Sequence, residues 1–307
     1  MRIFVTGGAG FIGSHTVETL LGNGLEVTVF DNLSSGSRDN LPPEVSFIEG
    51  DIRDHEALLQ GMEGCQAVLH LAALVSVPES IRFPQYAHAV NATGTLNVLE
   101  VARIHGISRV VMASSAAVYG ENLELPLREE APPSSLSPYA AQKRMGEVYA
   151  GIYAELHGMS PIALRYFNVY GHRQNPASPY SGVLSRFIRA SVSGELVTVF
   201  GDGLQTRDFV YVKDVAQANM KALLTEAKGC HILNVGTGLA LPVLEAYEVI
   251  QRQVGAALSP QFAPPRAGDI RHSCASIEKA RQVLGYDPVH PFEEGILHTI
   301  RWSQTLL

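Results

Sequence analysis

Tyr139 and Lys143 are the two side chains in this sequence best suited to acid–base chemistry. They lie four residues apart, and on a helix this spacing places both on one face. A phenol has a pKa of about 10 and becomes a useful base near neutral pH only when a nearby cation stabilises its phenolate. Lys143 can supply that charge, although a Tyr-x-x-x-Lys pair alone is a common accident. Ser115 follows the apolar run 109–113, and is therefore expected at the carboxyl edge of a sheet, where ligands bind.

A glycine-rich turn near the N-terminus indicates a ligand that contains phosphate. Gly7, Gly10 and Gly13 have GxxGxxG spacing in the segment TGGAGFIG, between an apolar strand pattern and an amphipathic helix pattern. Glycine lets the backbone approach a pyrophosphate closely, and the N-terminus of the following helix favours its negative charge. Glycines also serve in tight packing turns, but strand, turn and helix in this order are what a dinucleotide-binding turn requires.

Two aspartates refine the identity of this ligand. Asp31 comes directly after the second predicted strand, where a carboxylate accepts hydrogen bonds from the adenosine ribose hydroxyls and repels a 2′-phosphate. Its position favours NAD over NADP, unless Asp31 only opens the turn DNLSSG. Asp51 lies in the run GDIRD after the third predicted strand, where its carboxylate is placed to accept a hydrogen bond from the adenine amino group.

The elements that must position these residues alternate between strands and helices. The predicted strands are 2–6, 26–30, 46–49, 67–70, 109–113 and 160–165, and the predicted helices are 11–23, 55–62, 86–105 and 138–157. Near-continuous apolar strands separated by helices are typical of a parallel sheet covered on both faces. With right-handed crossovers, this pattern predicts an α/β fold with a Rossmann-type doubly wound parallel sheet.

The second half of the sequence differs from the first. After a loop-like segment at 171–182, we expect a helix at 183–193, a strand at 197–200, the run RDFVYV leading into a helix at 213–224, and helices at 276–284 and 292–306. We therefore predict an NAD-binding domain at 1–168 and a smaller C-terminal α/β domain, mainly for substrate, at 169–307. The chain is expected to return to the first domain around 209–236.

Bulk composition excludes several classes of protein. Apolar residues make up 46% of the chain, the net charge is −7, and no Lys/Arg-rich run occurs, which argues against nucleic acid or an anionic membrane as partner. Three separated cysteines show no metal-ligand spacing, so no metal is expected, and reduced thiols suit a cytoplasmic protein. The chain enters its first strand without a signal-peptide pattern, and no apolar stretch approaches the ~20 residues needed to cross a bilayer.

Eight segments, in order along the whole chain, resemble the extended short-chain dehydrogenase/reductases, and specifically the UDP-galactose/UDP-N-acetylglucosamine 4-epimerase group. The segments are TGGAGFIG, HLAAL (70–74), NATGT (91–95), SSAAVYG, SPYAAQK, LRYFNVYG (164–171), RDFVYV (207–212) and PPRAGDIRHS (264–273). The resemblance implies that NAD is the cofactor and that Ser115, Tyr139 and Lys143 are the catalytic residues.

The same resemblance implies two sets of binding residues. Cofactor contacts are expected from Gly7, Gly10, Phe11, Ile12, Gly13, Asp31, Asn32, Asp51, Ile52, Leu71, Ala72, Ala73, Tyr139, Lys143 and Tyr166. Substrate contacts are expected from Ser115, Tyr139, Asn168, Val183, Thr198, Phe200, Arg207, Arg266, Asp269 and Ser273. Arg207 and Arg266 suit a diphosphate through paired donors. Thr198 and Phe200 resemble the uracil-facing positions of the group, which favours UDP over GDP or dTDP.

The implied reaction inverts one hydroxyl of a UDP-linked sugar. Tyr139 takes the proton of the sugar 4-hydroxyl while the C4 hydride passes to NAD, and the resulting 4-keto sugar turns about its diphosphate and receives the hydride on its other face. NAD is regenerated in place, so tight cofactor binding is expected. General-base catalysis of this kind contributes about 10²–10⁴-fold, and the cofactor supplies the rest.

Other activities on this scaffold are less favoured. Dehydratases typically place Asp-Glu after the catalytic hydroxyl residue, and decarboxylating relatives usually keep a Glu there, whereas this chain has Ala116 and Ala117. A simple reductase and a non-catalytic NAD-binding regulator remain alternatives, which bound-cofactor analysis and a turnover assay would distinguish. The intact set of Ser115, Tyr139 and Lys143 argues against the regulator.

The identity of the sugar depends on one small residue. Galactose or glucose, their N-acetylamino forms and the uronic acids all fit the catalytic residues. Ser273 stands where enzymes of the group restricted to glucose and galactose usually have a tyrosine, so a bulky C2 substituent would fit. UDP-GlcNAc/UDP-GalNAc is therefore the first expectation and UDP-glucuronate/galacturonate the second. Plain UDP-glucose follows if Ser273 is an incidental loop residue.

The predicted helices 86–105 and 138–157 resemble the pair that forms a four-helix bundle between subunits in this group. The alternative is that both are ordinary core helices. We expect a homodimer.

Overall fold

The fold is described from a computed structural model, which covers residues 1–122, 124–174, 182–265 and 270–306. Its strands are β1 (Arg2–Thr6), β2 (Glu26–Asp31), β3 (Ser46–Glu49), β4 (Ala67–His70), β5 (Arg109–Ser115), β6 (Ile162–Tyr166), β7 (Asn168–Tyr170), β8 (Thr198–Phe200), β9 (Thr206–Arg207), β10 (Phe209–Tyr211), β11 (His231–Val235), β12 (Leu241–Pro242) and β13 (Gln261–Ala263).

Eleven α-helices are present among the described residues. They are α1 (Phe11–Gly22), α2 (His55–Gly61), α3 (Val77–Arg82), α4 (Pro84–His88), α5 (Gly94–Ile104), α6 (Pro138–His157), α7 (Val183–Ser193), α8 (Val212–Leu224), α9 (Val243–Val254), α10 (Glu278–Leu284) and α11 (Phe292–Gln304). A π-helical turn, Ala89–Thr93, joins α4 to α5. None of these helices has the length and apolar content that crossing a membrane requires.

Seven parallel strands form the central sheet, in the order β11-β6-β5-β4-β1-β2-β3. On one face α1 and α8 pack together, with Val17, Leu20 and Ala218 in a buried apolar cluster. On the other face α2, α5 and α6 bury a second cluster that includes Leu58 and Val98. Because both faces of the sheet are covered, its strands consist mainly of buried apolar residues. The predicted α/β fold with a doubly wound parallel sheet is confirmed.

Three two-stranded sheets accompany the central one: β7 with β10 and β8 with β13 are parallel, and β9 with β12 is antiparallel. Near them, α7, α9 and α11 pack together around a third apolar cluster that contains Phe187, Tyr247 and Ile300. These short strands place Asn168, Thr198 and Arg207, which the sequence assigns to substrate contacts.

Several predicted boundaries differ from the structure for identifiable reasons. β5 continues two residues past its predicted end, because it pairs with β6 as far as Ser115 opposite Tyr166. Ser115 is thus the last residue of the strand and not the residue beyond it. The predicted helix 86–105 is a helical run that begins earlier, at Pro84, and contains the π-helical turn. β11 is not predicted, since His231 and Asn234 interrupt its apolar run. α9 is not predicted either, because it begins without a capping side chain.

Candidate active site

The end of β5 and the start of α6 bring the predicted catalytic side chains together. Ser137 caps α6 by accepting a hydrogen bond from the Ala140 backbone N–H at 3.2 Å, and Pro138 follows at the first helical position. Both are typical helix-start signals. Tyr139 therefore lies in the first turn of α6, with Lys143 one turn further along the same face.

Ser115 and Tyr139 interact through their hydroxyl groups. Burial raises the pKa of Tyr139, and the hydrogen bond with Ser115 opposes this effect, so that the pKa stays above its ordinary value. The Ser115 Oγ also accepts a hydrogen bond from the Ala117 backbone N–H at 3.2 Å, which holds the hydroxyl in place. Tyr139 is therefore protonated near neutral pH in this structure, and acting as a base requires further stabilisation of its phenolate.

Lys143 is positioned to contribute that stabilisation. Its Nζ donates a hydrogen bond to the Ala113 carbonyl oxygen at 2.8 Å and lies 5.9 Å from the centroid of the Tyr139 ring. Burial lowers the pKa of Lys143 to about 8, so the ammonium group remains mostly charged at neutral pH. The structure thus places a fixed cation beside the phenol, where a positive charge favours the phenolate.

The glycines of the first turn serve different purposes. Gly7 has a φ of 73°, and a Cβ there would lie 2.5 Å from the Ala72 backbone nitrogen; a Cβ on Gly13 would lie 2.1 Å from the Gly7 carbonyl oxygen. Gly10 precedes α1, which has no capping side chain and no acidic residue in its first turn. The first N–H groups of α1 are therefore suited to a pyrophosphate. Phe11 and Ile12, the first two residues of α1, are half-buried beside this turn.

The loop that follows β4 lies against the glycine turn. The Leu71 backbone N–H donates to the Thr6 carbonyl oxygen at 3.0 Å, and the Ala72 N–H donates to the Thr6 Oγ1 at 3.3 Å. With the close approach of Gly7 to Ala72, these bonds place Leu71, Ala72 and Ala73 at the same sheet edge as the turn.

Asp31 both opens a turn and contacts the glycine-rich segment. Its Oδ1 accepts a hydrogen bond from the Leu33 N–H, and its Oδ2 accepts one from the Ala9 N–H, each at 2.9 Å. Burial raises the pKa of Asp31. Each carboxylate oxygen can accept a second hydrogen bond, so the structural role of Asp31 is compatible with binding a ribose hydroxyl.

Asp51 has protein partners that the sequence did not indicate. Arg53 donates to both of its carboxylate oxygens, at 2.7 and 2.9 Å, and Asn32 donates from Nδ2 to Oδ2 at 2.9 Å. These bonds, led by those of Arg53, lower the pKa of Asp51 to about 2. An adenine amino group would share an acceptor that is already engaged. The Ile52 side chain is buried against Gly94, which leaves its backbone as the part that a cofactor can reach.

Tyr166, the last of the predicted cofactor contacts, has a hydroxyl group that is already hydrogen-bonded within the protein. Its hydroxyl donates to the Asn219 Oδ1 at 2.6 Å, and its strand register places it opposite Ser115. Any contact with a cofactor is therefore left to the ring. Within the described residues, no group of three or more His, Cys, Asp or Glu side chains is arranged to hold a metal ion.

The predicted substrate residues lie on the short strands and helices of the second half. Asn168 is exposed in β7, Val183 begins α7, Thr198 is exposed in β8, and Phe200 is half-buried at the end of β8. Arg266 and Asp269 lie outside the described residues.

Arg207 and Ser273 lie close together because both donate a hydrogen bond to the backbone carbonyl oxygen of Thr206. Arg207 is half-buried in β9, where its Nη1 donates to the Thr206 carbonyl oxygen at 2.8 Å. The Ser273 backbone N–H donates to that same carbonyl group at 3.2 Å, and Ser273 is 8% exposed. Ser273, which is small and largely buried, thus lies next to β9, the strand that carries the candidate diphosphate-binding residue Arg207.

Two further residues organise the site and are not among the predicted contacts. Asp208 is fully buried and accepts hydrogen bonds from Thr237, Gly238 and Ala275, which fixes the loop after β11 to the segment after Ser273. Its place directly after Arg207 is the one sequence signal that points to it.

The second is Asn91, in the π-helical turn. Asn91 exchanges hydrogen bonds with the Leu74 backbone at 2.8 and 2.9 Å and donates to the Gln142 Oε1 at 2.9 Å. It therefore connects the loop after β4 to α6, next to Lys143. In the sequence, the segment NATGT is the feature that points to Asn91. Short π-helical turns like the one that contains it often occur at functional sites.

Comparisons with known proteins show what this chain is similar to. The family described as NAD dependent epimerase/dehydratase matches residues 3–236. A UDP-glucose 4-epimerase of Mycolicibacterium smegmatis is 40% identical over 310 residues, which cover 98% of each chain.

Two solved structures are similar over the full length. The UDP-glucose 4-epimerase of Thermotoga maritima with UDP-glucose is 38% identical with a TM-score of 0.96, and covers 100% of this chain and 99% of its own. The UDP-N-acetylglucosamine 4-epimerase of Methanobrevibacter ruminantium M1, in complex with UDP-N-acetylmuramic acid, is 37% identical with a TM-score of 0.96 and the same coverage. This chain belongs to the NAD dependent epimerase/dehydratase family.

Proposed function

We propose that this protein is an NAD-dependent UDP-sugar 4-epimerase. The observation that supports this most strongly is the convergence of Ser115, Tyr139 and Lys143 at the sheet edge that also bears the glycine turn. Ala116 and Ala117 follow Ser115, so no carboxylate stands there to eliminate water or assist decarboxylation. This composition favours epimerisation over the other reactions of the scaffold.

The residues at the N-terminal half fit a bound NAD. The turn from Gly7 to Gly13 would hold the pyrophosphate, Asp31 the adenosine ribose and Lys143 the nicotinamide ribose. When bound, NAD supplies the uptake and return of a hydride at C4 of the sugar. The protein needs no exchange of cofactor between turnovers, so we propose that NAD stays tightly bound.

The protein's own side chains manage the proton and the orientation of the sugar. Ser115 donates or accepts at the sugar 4-hydroxyl and at the Tyr139 hydroxyl, and so aligns the two oxygens. Tyr139 holds the proton of the 4-hydroxyl at its phenolic oxygen and returns it to the sugar O4 after the sugar has turned its other face to the cofactor site. Lys143 lowers the free energy of the phenolate through its charge.

The second half of the chain is proposed to bind the UDP group. Arg207 suits the diphosphate, and Thr198 and Phe200, on β8, would face the uracil, with Asn168 and Val183 nearer the sugar. We propose residues 1–168, with 209–236, as the NAD-binding part and the rest of 169–307 as the substrate part. The return is supported by β11, which pairs with β6 in the central sheet.

The proposed sugar is N-acetylated: UDP-GlcNAc and UDP-GalNAc first, with the UDP-uronates next. The support is the small size of Ser273 alongside β9, together with the name of the Methanobrevibacter ruminantium structure. UDP-glucose is the remaining candidate, because the Mycolicibacterium smegmatis and Thermotoga maritima proteins are named for it.

A direct assay tests both levels of this proposal. The purified protein, its NAD content measured, is incubated separately with UDP-GlcNAc, UDP-Glc and UDP-GlcA, and epimer formation is followed by NMR. Conversion of UDP-GlcNAc supports the full proposal, and conversion of UDP-Glc alone supports the epimerase with UDP-glucose as its sugar. No epimer from any of them, with NAD bound, would contradict the epimerase assignment.

We further propose a homodimer through α5 and α6. On α6, the exposed side chains Met145, Val148, Ile152 and Leu156 recur at helical spacing, so they form one apolar stripe. Beside this stripe lies a groove of about 390 Å³ lined by Ser135, Ala141, Arg144, Met145, Val148, Tyr149 and Ile152. An apolar stripe of this kind marks a surface for association, and a second copy of α6 presents the same exposed apolar side chains.

A further inference from the structure

A buried ion pair lies directly behind the candidate catalytic residues. Arg165 of β6 donates from Nε and Nη2 to the two carboxylate oxygens of Glu147 on α6, at 2.7 and 2.9 Å. Both side chains are almost completely buried, at 1% and 2% exposure. Burial raises the pKa of Glu147, but the bonds and charge of Arg165 outweigh this and hold it below its usual range. Glu147 is therefore a charged carboxylate inside the protein.

The same carboxylate also reaches the strand that ends at Ser115. The Ser114 Oγ donates to the Glu147 Oε1 at 2.6 Å, and the Ser114 side chain is buried. Ser114 precedes Ser115 in β5, and Glu147 follows Lys143 by one turn of α6. One carboxylate thus joins β5, α6 and β6 at the point where each presents a residue of the site.

The far side of the pair is anchored as well. The Arg165 guanidinium lies over the Tyr119 ring, with Cζ 4.6 Å from its centroid, and its Nη1 donates to the Glu129 carbonyl oxygen at 3.1 Å. Tyr119 in turn donates to the Asn234 Oδ1 of β11 at 2.6 Å. The ion pair is part of a continuous network of polar contacts across the sheet edge. Neither of its side chains can move without breaking several hydrogen bonds.

We propose that Glu147 is a positioning residue for the reaction, which holds the end of β5 against α6 so that the Ser115 hydroxyl meets the Tyr139 phenol. This inference rests on the proposed epimerase function. A buried ion pair adds little net stability compared with apolar packing of the same volume. Its contribution is geometric, because the two oxygens of a carboxylate accept hydrogen bonds in defined directions. Glu147 therefore holds β5 at Ser114, the helix α6 and β6 at Arg165 in one arrangement.

The test uses Ser114→Ala, which removes the bond to β5 and leaves both Arg165 bonds of Glu147 intact. A misplacement of the reacting groups by about 1 Å can lower the rate on the order of 100-fold, so we expect kcat to fall about 10- to 100-fold. KM and NAD content should stay near wild type, and the thermal midpoint should fall somewhat because a buried carboxylate loses one donor, so kcat is compared at a temperature where both proteins are fully folded. The acid limb of the kcat profile should move to higher pH, because Ser115 no longer lowers the pKa of Tyr139.

Glu147→Gln extends the test by removing the charge, and it should lower kcat further. The matched control is Glu100→Gln on α5, which alters a carboxylate that accepts a hydrogen bond at 2.9 Å from Tyr153, a residue further along α6. The control should keep wild-type kcat and the wild-type acid limb.

Three results would overturn the inference. The first is a Ser114→Ala enzyme with wild-type kcat and an unmoved acid limb. The second is a loss of activity that follows only the loss of folded protein at every pH. The third is an equal loss in Glu100→Gln. A wild type without turnover on any UDP-sugar would instead overturn the proposed function, and this inference with it.

Discussion

Opposing influences act on one phenol at the scale of the residue. Burial of Tyr139 favours its neutral form, whereas the Ser115 hydrogen bond and a cation 5.9 Å from the ring centroid favour the phenolate. Each neighbour is held by a backbone atom: Lys143 by the Ala113 carbonyl and Ser115 by the Ala117 N–H. Because these positions are fixed before substrate arrives, little reorganisation is needed during the reaction.

Tyr139→Phe should lower turnover by about 10²–10⁴-fold, because general acid–base catalysis at the sugar hydroxyl is lost. Ser115→Ala should act in the same direction, and NAD content should stay close to wild type in both. Tyr153→Phe, on the same helix but bonded to Glu100, is the matched control and should keep its activity. Near-normal NMR turnover in Tyr139→Phe would refute the proposed mechanism.

Asp31→Asn should weaken the preference for NAD over NADP, since it removes the charge that repels a 2′-phosphate while keeping most of the side-chain shape. Asp31→Ala should relax the preference too, but it also removes the acceptor for the Ala9 and Leu33 N–H groups, so lower stability is expected. Binding of each cofactor is compared by titration of apoprotein. A wild type that prefers NADP would show that the role assigned to Asp31 is wrong.

Ser273→Tyr should suppress turnover of UDP-GlcNAc selectively. Overpacking a wall of the pocket costs about 1–3 kcal/mol, which corresponds to roughly 5- to 150-fold in rate. UDP-Glc, with only a hydroxyl at C2, should be affected much less. The two kcat/KM values are compared for wild type and variant. Equal losses on both sugars, or a wild type inactive on UDP-GlcNAc, would remove the basis for the proposed sugar while leaving the epimerase proposal in place.

At the scale of the element, α6 combines two roles on different faces. One face presents Tyr139 and Lys143 to the sheet edge, and the other exposes the apolar stripe that begins at Met145. If the stripe is a subunit interface, the helix that holds the candidate catalytic residues is also stabilised by the partner. Dimer formation and activity are then coupled through a single rigid helix.

Val148→Glu should convert the protein to a monomer, because it places a charge at the centre of the proposed interface, where an unpaired buried carboxylate is costly. Leu196→Glu is the matched control: Leu196 is also exposed, at 58%, but lies between α7 and β8. Molar mass is measured by light scattering or sedimentation. A wild-type monomer, or a Val148→Glu variant that remains a dimer, would exclude this interface.

At the scale of the whole molecule, folding buries the side chain of His70 in its neutral form. His70, at the end of β4, is 3% exposed and lies between two threonines, 2.7 Å from the Thr6 Oγ1 and 2.9 Å from the Thr95 Oγ1. Thr95 donates its own proton to the Asn91 carbonyl oxygen, so the network assigns the proton of His70 to Nε2. Burial, aided by the charge of Lys143, lowers the pKa of His70 to about 3.

The stability of the fold should therefore decrease in acid. The folded pKa lies below the value of about 6.5 expected for an unfolded histidine. The unfolded chain thus binds the extra proton first, and this contribution to stability is present above pH ~6.5 and is lost as the pH falls towards about 3. At pH 5 the loss for His70 alone is about 2 kcal/mol relative to neutral pH. Urea unfolding at pH 7, 6 and 5 measures it, and His70→Gln should show a smaller decrease. An identical pH dependence in the variant would contradict the assignment.

The sequence by itself determined the features that depend on a few neighbouring residues. Gly7, Gly10 and Gly13 predict the glycine turn between β1 and α1, the pattern of residues 138–157 predicts α6, and helical spacing puts Tyr139 and Lys143 on one face. Alternating apolar runs and amphipathic segments predict the doubly wound sheet. All of these are local preferences of the backbone or periodic patterns of burial, so each element can be predicted from its own stretch of chain, and their order then predicts the sheet.

Only the tertiary structure decided which distant side chains meet. Asp51 is engaged by Arg53 and Asn32, Asp208 fastens a segment more than sixty residues away at Ala275, and Glu147 joins Arg165 to Ser114. The spacing of these residues in the sequence does not predict their contacts, because hydrogen-bond partners that are distant in the chain depend on how the helices and strands pack. The end of β5 shows the same dependence: pairing with β6 extends it to Ser115, and so the position of the candidate catalytic serine is settled by a neighbouring strand.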